Sequence, residues 1–135
     1  MLAAVQSAPS LDTETTRTAL TRAFFALTDH WELSREQEAQ LLGWTYGDKR
    51  TTLDAMRKGK TIISNDADKI DRMIDLVNIH KSLRVLFPYD REAVYAWVKT
   101  KRERFGEHSA LDVMLEDGKL GIAAIRHYLD HERTR

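Results

Sequence analysis

Residues 34–60 read SREQEAQLLGWTYGDKRTTLDAMRKGK, and this stretch decides how the chain is organised. Ser34 followed three positions later by Gln37 is a capping box. The hydroxyl accepts from an orphan amide at the start of a helix, and the glutamine side chain reaches back to the serine's own amide. The helix it opens carries Ala39, Leu41 and Leu42 and stops at Gly43, a residue suited to a left-handed cap. Asp48 then caps a second helix, in which Leu53 and Met56 mark the buried side and Gly59 the end. Two short helices joined tightly present the second to the DNA major groove, which is wide enough to admit it. The crossing needs a small residue in the first helix and a glycine four residues later, and Ala39 and Gly43 supply both. The anchors Leu53 and Met56 arrive about four residues later than in the tightest helix-turn-helix, so Thr45 to Asp48 reads as a lengthened turn.

With Leu53 and Met56 facing inward, the outer face offers Lys49, Arg50, Thr51 and Thr52, with Asp54 at its edge. First-turn residues of such a helix are the usual base readers. Arginine grips guanine in a bidentate way, and threonine meets an acceptor or a thymine methyl. Arg57, Lys58 and Lys60 follow as phosphate contacts, which position a protein without reading sequence. The plain alternative is a solvated charged face on an ordinary helical hairpin.

Net charge is zero, 21 basic against 21 acidic residues, which by itself argues against a nucleic-acid partner. The charge is segregated, however. Asp48 to Lys60 holds five basic residues against Asp48 and Asp54, and Lys99 to Arg104 holds four against Glu103.

Helical signals continue outward in both directions. A first helix runs from Asp12 or Thr13 to about His30, with Leu20, Ala23, Phe24 and Leu27 at three- and four-residue intervals. Another opens at Ser64 or Asn65 and extends to Phe87, where Pro88 forbids continuation. It carries two apolar stripes, Ile70, Ile74, Val77 and Met73, Leu76, Ile79, Leu83, Leu86, so it is covered from both sides and joins two halves. Asp90 caps a helix through Ala93, Val94, Trp97, Val98 and Lys101 to Phe105. A short helix from Ser109 to Glu116 is broken at Gly118 and followed by a last helix with Leu120, Ile122, Ile125 and Leu129. No alternating strand pattern occurs. The expected fold is all-α: a loose tail over 1–11, a helix-turn-helix lobe over 12–87, and a smaller helical lobe over 88–135 reached through the long helix.

Several functions are set aside at this point. No apolar run is long enough to cross a bilayer, so no membrane partner is expected. Met1 to Ser10 lacks the basic start of a signal peptide. The absence of cysteine removes disulfides, thiolate nucleophiles and cysteine-bound zinc, and suits a reducing cytoplasm. There is no phosphate-cradling glycine loop and no nucleophile elbow, so neither catalysis nor a cofactor is expected. His127 and His131 are four apart on one helix but lack a third ligand, so no metal is expected either.

The C-terminal half has a recognisable layout: Ala93-x-x-x-Trp97, Phe105-Gly106, Ser109 to Leu115, Gly118, then Gly121 to Leu129. It resembles the toxin-binding domain of the Xre/MbcA/ParS-type antitoxins, which join an Xre-like helix-turn-helix to such a domain. The resemblance covers Ser34 to Leu129 and is strongest from Trp97 onward. The chain departs from that family at Ala110, where proline is frequent, and at Lys99 to Arg104, where an asparagine-rich turn is usual.

The resemblance implies a RES-domain toxin as partner, an enzyme that consumes NAD or transfers from it. It also implies a homodimer that binds its own operator DNA and represses its operon. A toxin acting on a dianionic dinucleotide needs a cationic pocket, and an inhibitor stops it by filling the entrance. Arg126, His127, Leu129, Asp130, His131 and Arg133 offer donors, acceptors and apolar surface for such a plug, with Trp97 and Lys101 beside them. Trp97, Phe105, Leu111 and Met114 also read as core. Two other functions remain open on the residues alone. One is a free-standing transcriptional regulator whose C-terminal lobe dimerises or senses a ligand, and the other is a protein-interaction module that no longer binds DNA.

Overall fold

Six α-helices form among residues 13–135, the residues that the computed structural model describes. The tail expected over 1–11 lies outside them. The helices are α1 (Glu14–His30), α2 (Arg35–Leu41), α3 (Tyr46–Arg57), α4 (Ala67–Leu86), α5 (Arg91–Ala96) and α6 (Ala110–Arg133). Short 3-10 turns occupy Trp97–Lys99 and Glu103–Phe105. Among the described residues no strand forms beyond one bridge between Arg102 and His108, so the fold is all-α.

Helix α4 is the spine. Its buried residues Ile70, Met73, Leu76, Ile79 and Leu83 meet α1 on one side and α6 on the other. Its cap is Asp66, not Ser64 or Asn65: the carboxylate accepts from the amides of Asp68 at 2.9 Å and Lys69 at 3.4 Å. One apolar core runs from Phe24 in α1 through Leu53, Met73 and Leu83 to Leu129 in α6. Each fully buried leucine, isoleucine or phenylalanine in it contributes about 1.5–3 kcal/mol of burial. The core has no gap at Pro88, where the two halves would separate. Polar ties cross the same boundary: Gln40 Nε2 on α2 donates to the Leu115 carbonyl on α6 at 2.8 Å, and Lys99 Nζ donates to the Glu32 carbonyl at 2.9 Å.

The helix expected from Asp90 to Phe105 stops at Ala96. Asp90 does cap it, accepting from the Ala93 amide at 3.0 Å. Thr100 then turns its hydroxyl back onto the Ala96 carbonyl at 2.9 Å, and Gly106 and Glu107 both take positive φ. The chain curls because Trp97 is drawn inward, its ring 6.1 Å from Phe105 and 6.3 Å from Tyr128.

Ser109 opens α6 with a second capping box, its partner being Asp112. Gly118 (φ 62°, ψ −136°) then breaks the helix into segments 110–117 and 119–133. That conformation is open only to glycine. At the bend Gly121 rides against the first segment so closely that a Cβ there would lie 2.4 Å from the Val113 carbonyl oxygen.

Where α1, α4 and α5 meet, the rings of His30 and Tyr95 stack at 4.4 Å and 3°, with His80 of α4 6.4 Å from Tyr95. Burial, with His30 and Arg84 close by, pushes His80 below the ordinary histidine range, and its Nδ1 has no partner among the described residues. The folded protein therefore binds fewer protons at this site than the unfolded chain does. Stability is full above the unfolded value of about 6.5 and falls as pH drops through and below it. The midpoint of thermal unfolding is expected to fall between about pH 7.5 and 5.5, and His80→Phe to flatten that fall. A variant that keeps the wild-type slope would assign the effect to another group.

Candidate nucleic-acid and partner faces

The turn between α2 and α3 is shorter than its sequence suggests. Ser34 makes both bonds of its capping box, at 3.1 Å to the Gln37 amide and 2.9 Å from its own amide to Gln37 Oε1. At the other end Gly43 takes φ +76°, and the amides of Gly43 and Trp44 bond back to the carbonyls of Gln40 and Ala39, each at 2.9 Å. Arg72 from α4 lies under the same turn and donates to the Leu41 carbonyl at 3.2 Å. Helix α3 then starts at Tyr46, with Thr45 as its cap residue. Asp48 is thus inside the first turn rather than at the cap. Four residues, Leu42 to Thr45, join the helices. Half-buried Trp44 packs against the core and supplies the apolar contact that holds the short turn.

Leu53 and Met56 anchor α3 inward, 0% and 3% exposed. Gly47, Thr51, Asp54 and Lys58, spaced by four, three and four residues, share one outward stripe. Arg50 flanks it, and an open hollow of about 270 Å³ is lined by Arg35, Tyr46, Arg50, Thr51 and Asp54. The seven residues expected to meet DNA therefore divide. Arg50, Thr51, Thr52, Lys58 and Lys60 are exposed. Lys49 lies to the side, its ammonium 5.3 Å over the Trp44 ring.

Arg57 is turned inward and is a structural residue. Its guanidinium pairs with buried Glu38 of α2, bonds Asp29 of α1 at 2.9 Å and lies 4.8 Å over the Phe25 ring. The Thr28 hydroxyl donates to the same Glu38 oxygen at 2.5 Å. Burial holds Glu38 above the ordinary carboxylate range, against the opposing pull of Thr28 and Arg57. An apolar-pattern reading has no means of seeing a buried glutamate, which is why Arg57 was expected as a phosphate contact. Arg35 is the complementary omission. It comes from the start of α2, reaches Asp54 at 3.4 Å and joins the hollow beside Arg50 and Thr51.

The second face is the C-terminal part of α6. Trp97 is 6% and Leu129 1% exposed, so both expected partner contacts belong to the core. Arg126 is partly engaged within the chain, at 2.6 Å from Asp75 and 3.5 Å from Asp130, and the Asp75 hydrogen bond raises its already high pKa. Arg133 donates to buried Ser82 of α4 at 3.3 Å. His127, His131 and Lys101 are exposed.

Leu120, expected with Ile122, Ile125 and Leu129 among the apolar residues of the last helix, is 81% exposed while the other three are buried. Leu120, Ala124, His127 and His131 recur at four, three and four residues and form one exposed stripe without a formal charge. Their spacing was readable, but only the bend at Gly118 decides which way that stripe points. Among the described residues no three His, Asp or Glu side chains converge as a metal site, and no helix is long and apolar enough to cross a membrane.

Residues 82–135, from within α4 to the end of the chain, match the family described as the antitoxin Xre/MbcA/ParS C-terminal toxin-binding domain. Over nearly its whole length the chain is similar to uncharacterized protein y4oB of Sinorhizobium fredii (strain NBRC 101917 / NGR234). The two are 34% identical over 128 residues, which span 94% of this chain and 93% of that protein.

Proposed function

The chain belongs to the Xre/MbcA/ParS antitoxin family, and on that premise we propose that the toxin it neutralises is of the RES type and that it represses its own operon through α2 and α3. The observation that carries the first half is the uncharged stripe of Leu120, Ala124, His127 and His131 inside the matched domain. A leucine 81% exposed is an apolar anchor awaiting a pocket, and two imidazoles beside it donate or accept without a fixed charge. Such a surface suits the mouth of a nucleotide-consuming enzyme, where Lys101 and the last turn of α6 add polar rim contacts. The plug is the outer face of α6, since Leu129 holds the inner face to the core.

The DNA-binding half is supported by the compact turn, the inward anchors and the exposed Arg50, Thr51, Lys58 and Lys60. The DNA-bound form is taken as a homodimer, because two readers one helical turn apart match a symmetric operator.

The two activities are expected to separate by mutation. Arg50→Ala lowers affinity for the upstream intergenic DNA about 5- to 150-fold, the cost of about 1–3 kcal/mol for a lost base contact. It leaves co-purification with the toxin unchanged. Leu120→Asp combined with His127→Asp does the reverse and abolishes rescue of cells that express the adjacent toxin gene. Rescue that survives both aspartates would remove the α6 stripe from the toxin interface. A partner gene product of a different enzyme class would overturn the RES assignment.

A further inference from the structure

Among the acidic residues of α3, Asp54 stands at the centre of the outward stripe, between Thr51 and Lys58, and opposite Arg35 of α2. Its two oxygens are divided between these cations: Oδ1 is 3.4 Å from Arg35 Nη1 and Oδ2 is 3.0 Å from Lys58 Nζ. All three side chains are open to solvent, 41% for Asp54 against 45% for Arg35 and 58% for Lys58. The arrangement therefore does nothing for the core, and exposed pairs of this kind contribute little to folding. A carboxylate facing a polyanion is a cost that a simple phosphate-binding surface would not carry. Asp48, nearly two turns earlier on the same helix, has no ion-pair partner among the described residues.

We propose that Asp54 is a specificity-determining residue of the DNA-facing surface: it occupies Arg35 and Lys58 as their counter-ion on arbitrary duplex, and on the operator it accepts a hydrogen bond from a cytosine amino group in the major groove. The inference rests on the reading of α2 and α3 as a DNA-binding unit. On arbitrary sequence, a phosphate competes with a counter-ion already in place, and the carboxylate repels the backbone. On the operator, aspartate accepting from cytosine N4 satisfies its lone pairs and releases both cations to flanking phosphates. The neighbouring Arg50 and Thr51 supply the remaining polar groups of the same hollow. Neutralising Asp54 therefore strengthens binding to arbitrary DNA while weakening discrimination.

The test compares wild type, Asp54→Asn and Asp48→Asn on two duplexes, the upstream intergenic DNA and a scrambled sequence of equal length, across a salt series. Asp54→Asn is expected to steepen the log-affinity slope on scrambled duplex by about 1.8, two freed phosphate contacts at about 0.9 each. Between 50 and 200 mM salt this is an additional loss of about 12-fold, with tighter binding than wild type at the low end. The ratio of operator to scrambled affinity falls about ten-fold or more. Asp48→Asn removes the same charge without releasing a cation, so its slope stays within a few tenths of wild type. An Asp54→Asn protein with wild-type slope and wild-type ratio overturns the proposal, as does an Asp48→Asn protein that behaves identically to Asp54→Asn. Wild-type protein that binds neither duplex fails the DNA-binding reading itself.

Discussion

Gly121→Ala is expected to destabilise the protein by about 3 kcal/mol, at the upper end of the range for overpacking. The added methyl would lie 2.4 Å from the Val113 carbonyl oxygen, 2.9 Å from Asp117 Cβ and 3.1 Å from the Val113 carbonyl carbon. Two of these three atoms are backbone, so no side chain can swing aside. Relief requires segment 119–133 to lift from segment 110–117, and that moves Ile122, Ile125 and Leu129 out of the core they share with α4. A domain of this size loses roughly 3–5 °C of melting temperature per kcal/mol, so a drop of roughly 10 °C is the result to look for. Ala124→Gly, at an exposed position of the same helix, costs only about 1 kcal/mol through helix propensity and serves as the comparison. A Gly121→Ala protein that melts with wild type would mean that the two segments are not in contact in solution.

The second large effect is at Arg57. Arg57→Ala leaves Glu38, 0% exposed, without its cation and is expected to cost about 3–5 kcal/mol in urea unfolding. Thr28 still donates to the carboxylate, but Glu38 Oε1 already has no partner among the described residues. The orphaned acid has to unfold or take up a proton. The double replacement Glu38→Met with Arg57→Met should recover most of the loss, because well-packed apolar residues often equal or exceed a buried pair. DNA binding separates this role from phosphate contact. Arg57→Met in the Glu38→Met background should keep the salt slope of wild type, whereas a phosphate-contacting arginine would reduce it by about 0.9.

These two positions mark where the sequence stops being legible. The helices, their order and the core face of α4 follow from periodicity, since Met73, Leu76, Ile79 and Leu83 recur at three- and four-residue spacing. Start signals were readable at Ser34, Asp90 and Ser109, where a side-chain oxygen does the capping, but at α4 the capping oxygen belongs to Asp66 and two nearby polar residues hid it. They failed at α3, where Thr45 makes no side-chain cap bond and the apolar weight of Trp44 sets the turn instead.

The DNA-facing candidates were half legible. Arg50, Thr51 and Lys58 are exposed as their spacing implies, but Lys49 and Arg57 are claimed by Trp44 and Glu38 through contacts between helices. Of the residues expected to meet a partner, Trp97 and Leu129 are buried while His127 and His131 are exposed. Tryptophan and leucine at helical spacing look alike whether they are anchors or core; Leu120 and Leu129 lie on opposite sides of segment 119–133, and the bend at Gly118 sets which side meets the core.

The uninterrupted core and the Gln40 bond to the Leu115 carbonyl have a bearing on how the protein is removed from a cell. Neither half has an interior of its own to fall back on. A protease that pulls open α6 strips the cover from α4, and with α4 exposed α2 and α3 lose the floor beneath the exposed residues of α3. No stage is expected at which a trimmed fragment keeps one of the two faces folded without the other. Proteolysis is then expected to remove the exposed face of α3 and the outer face of α6 together.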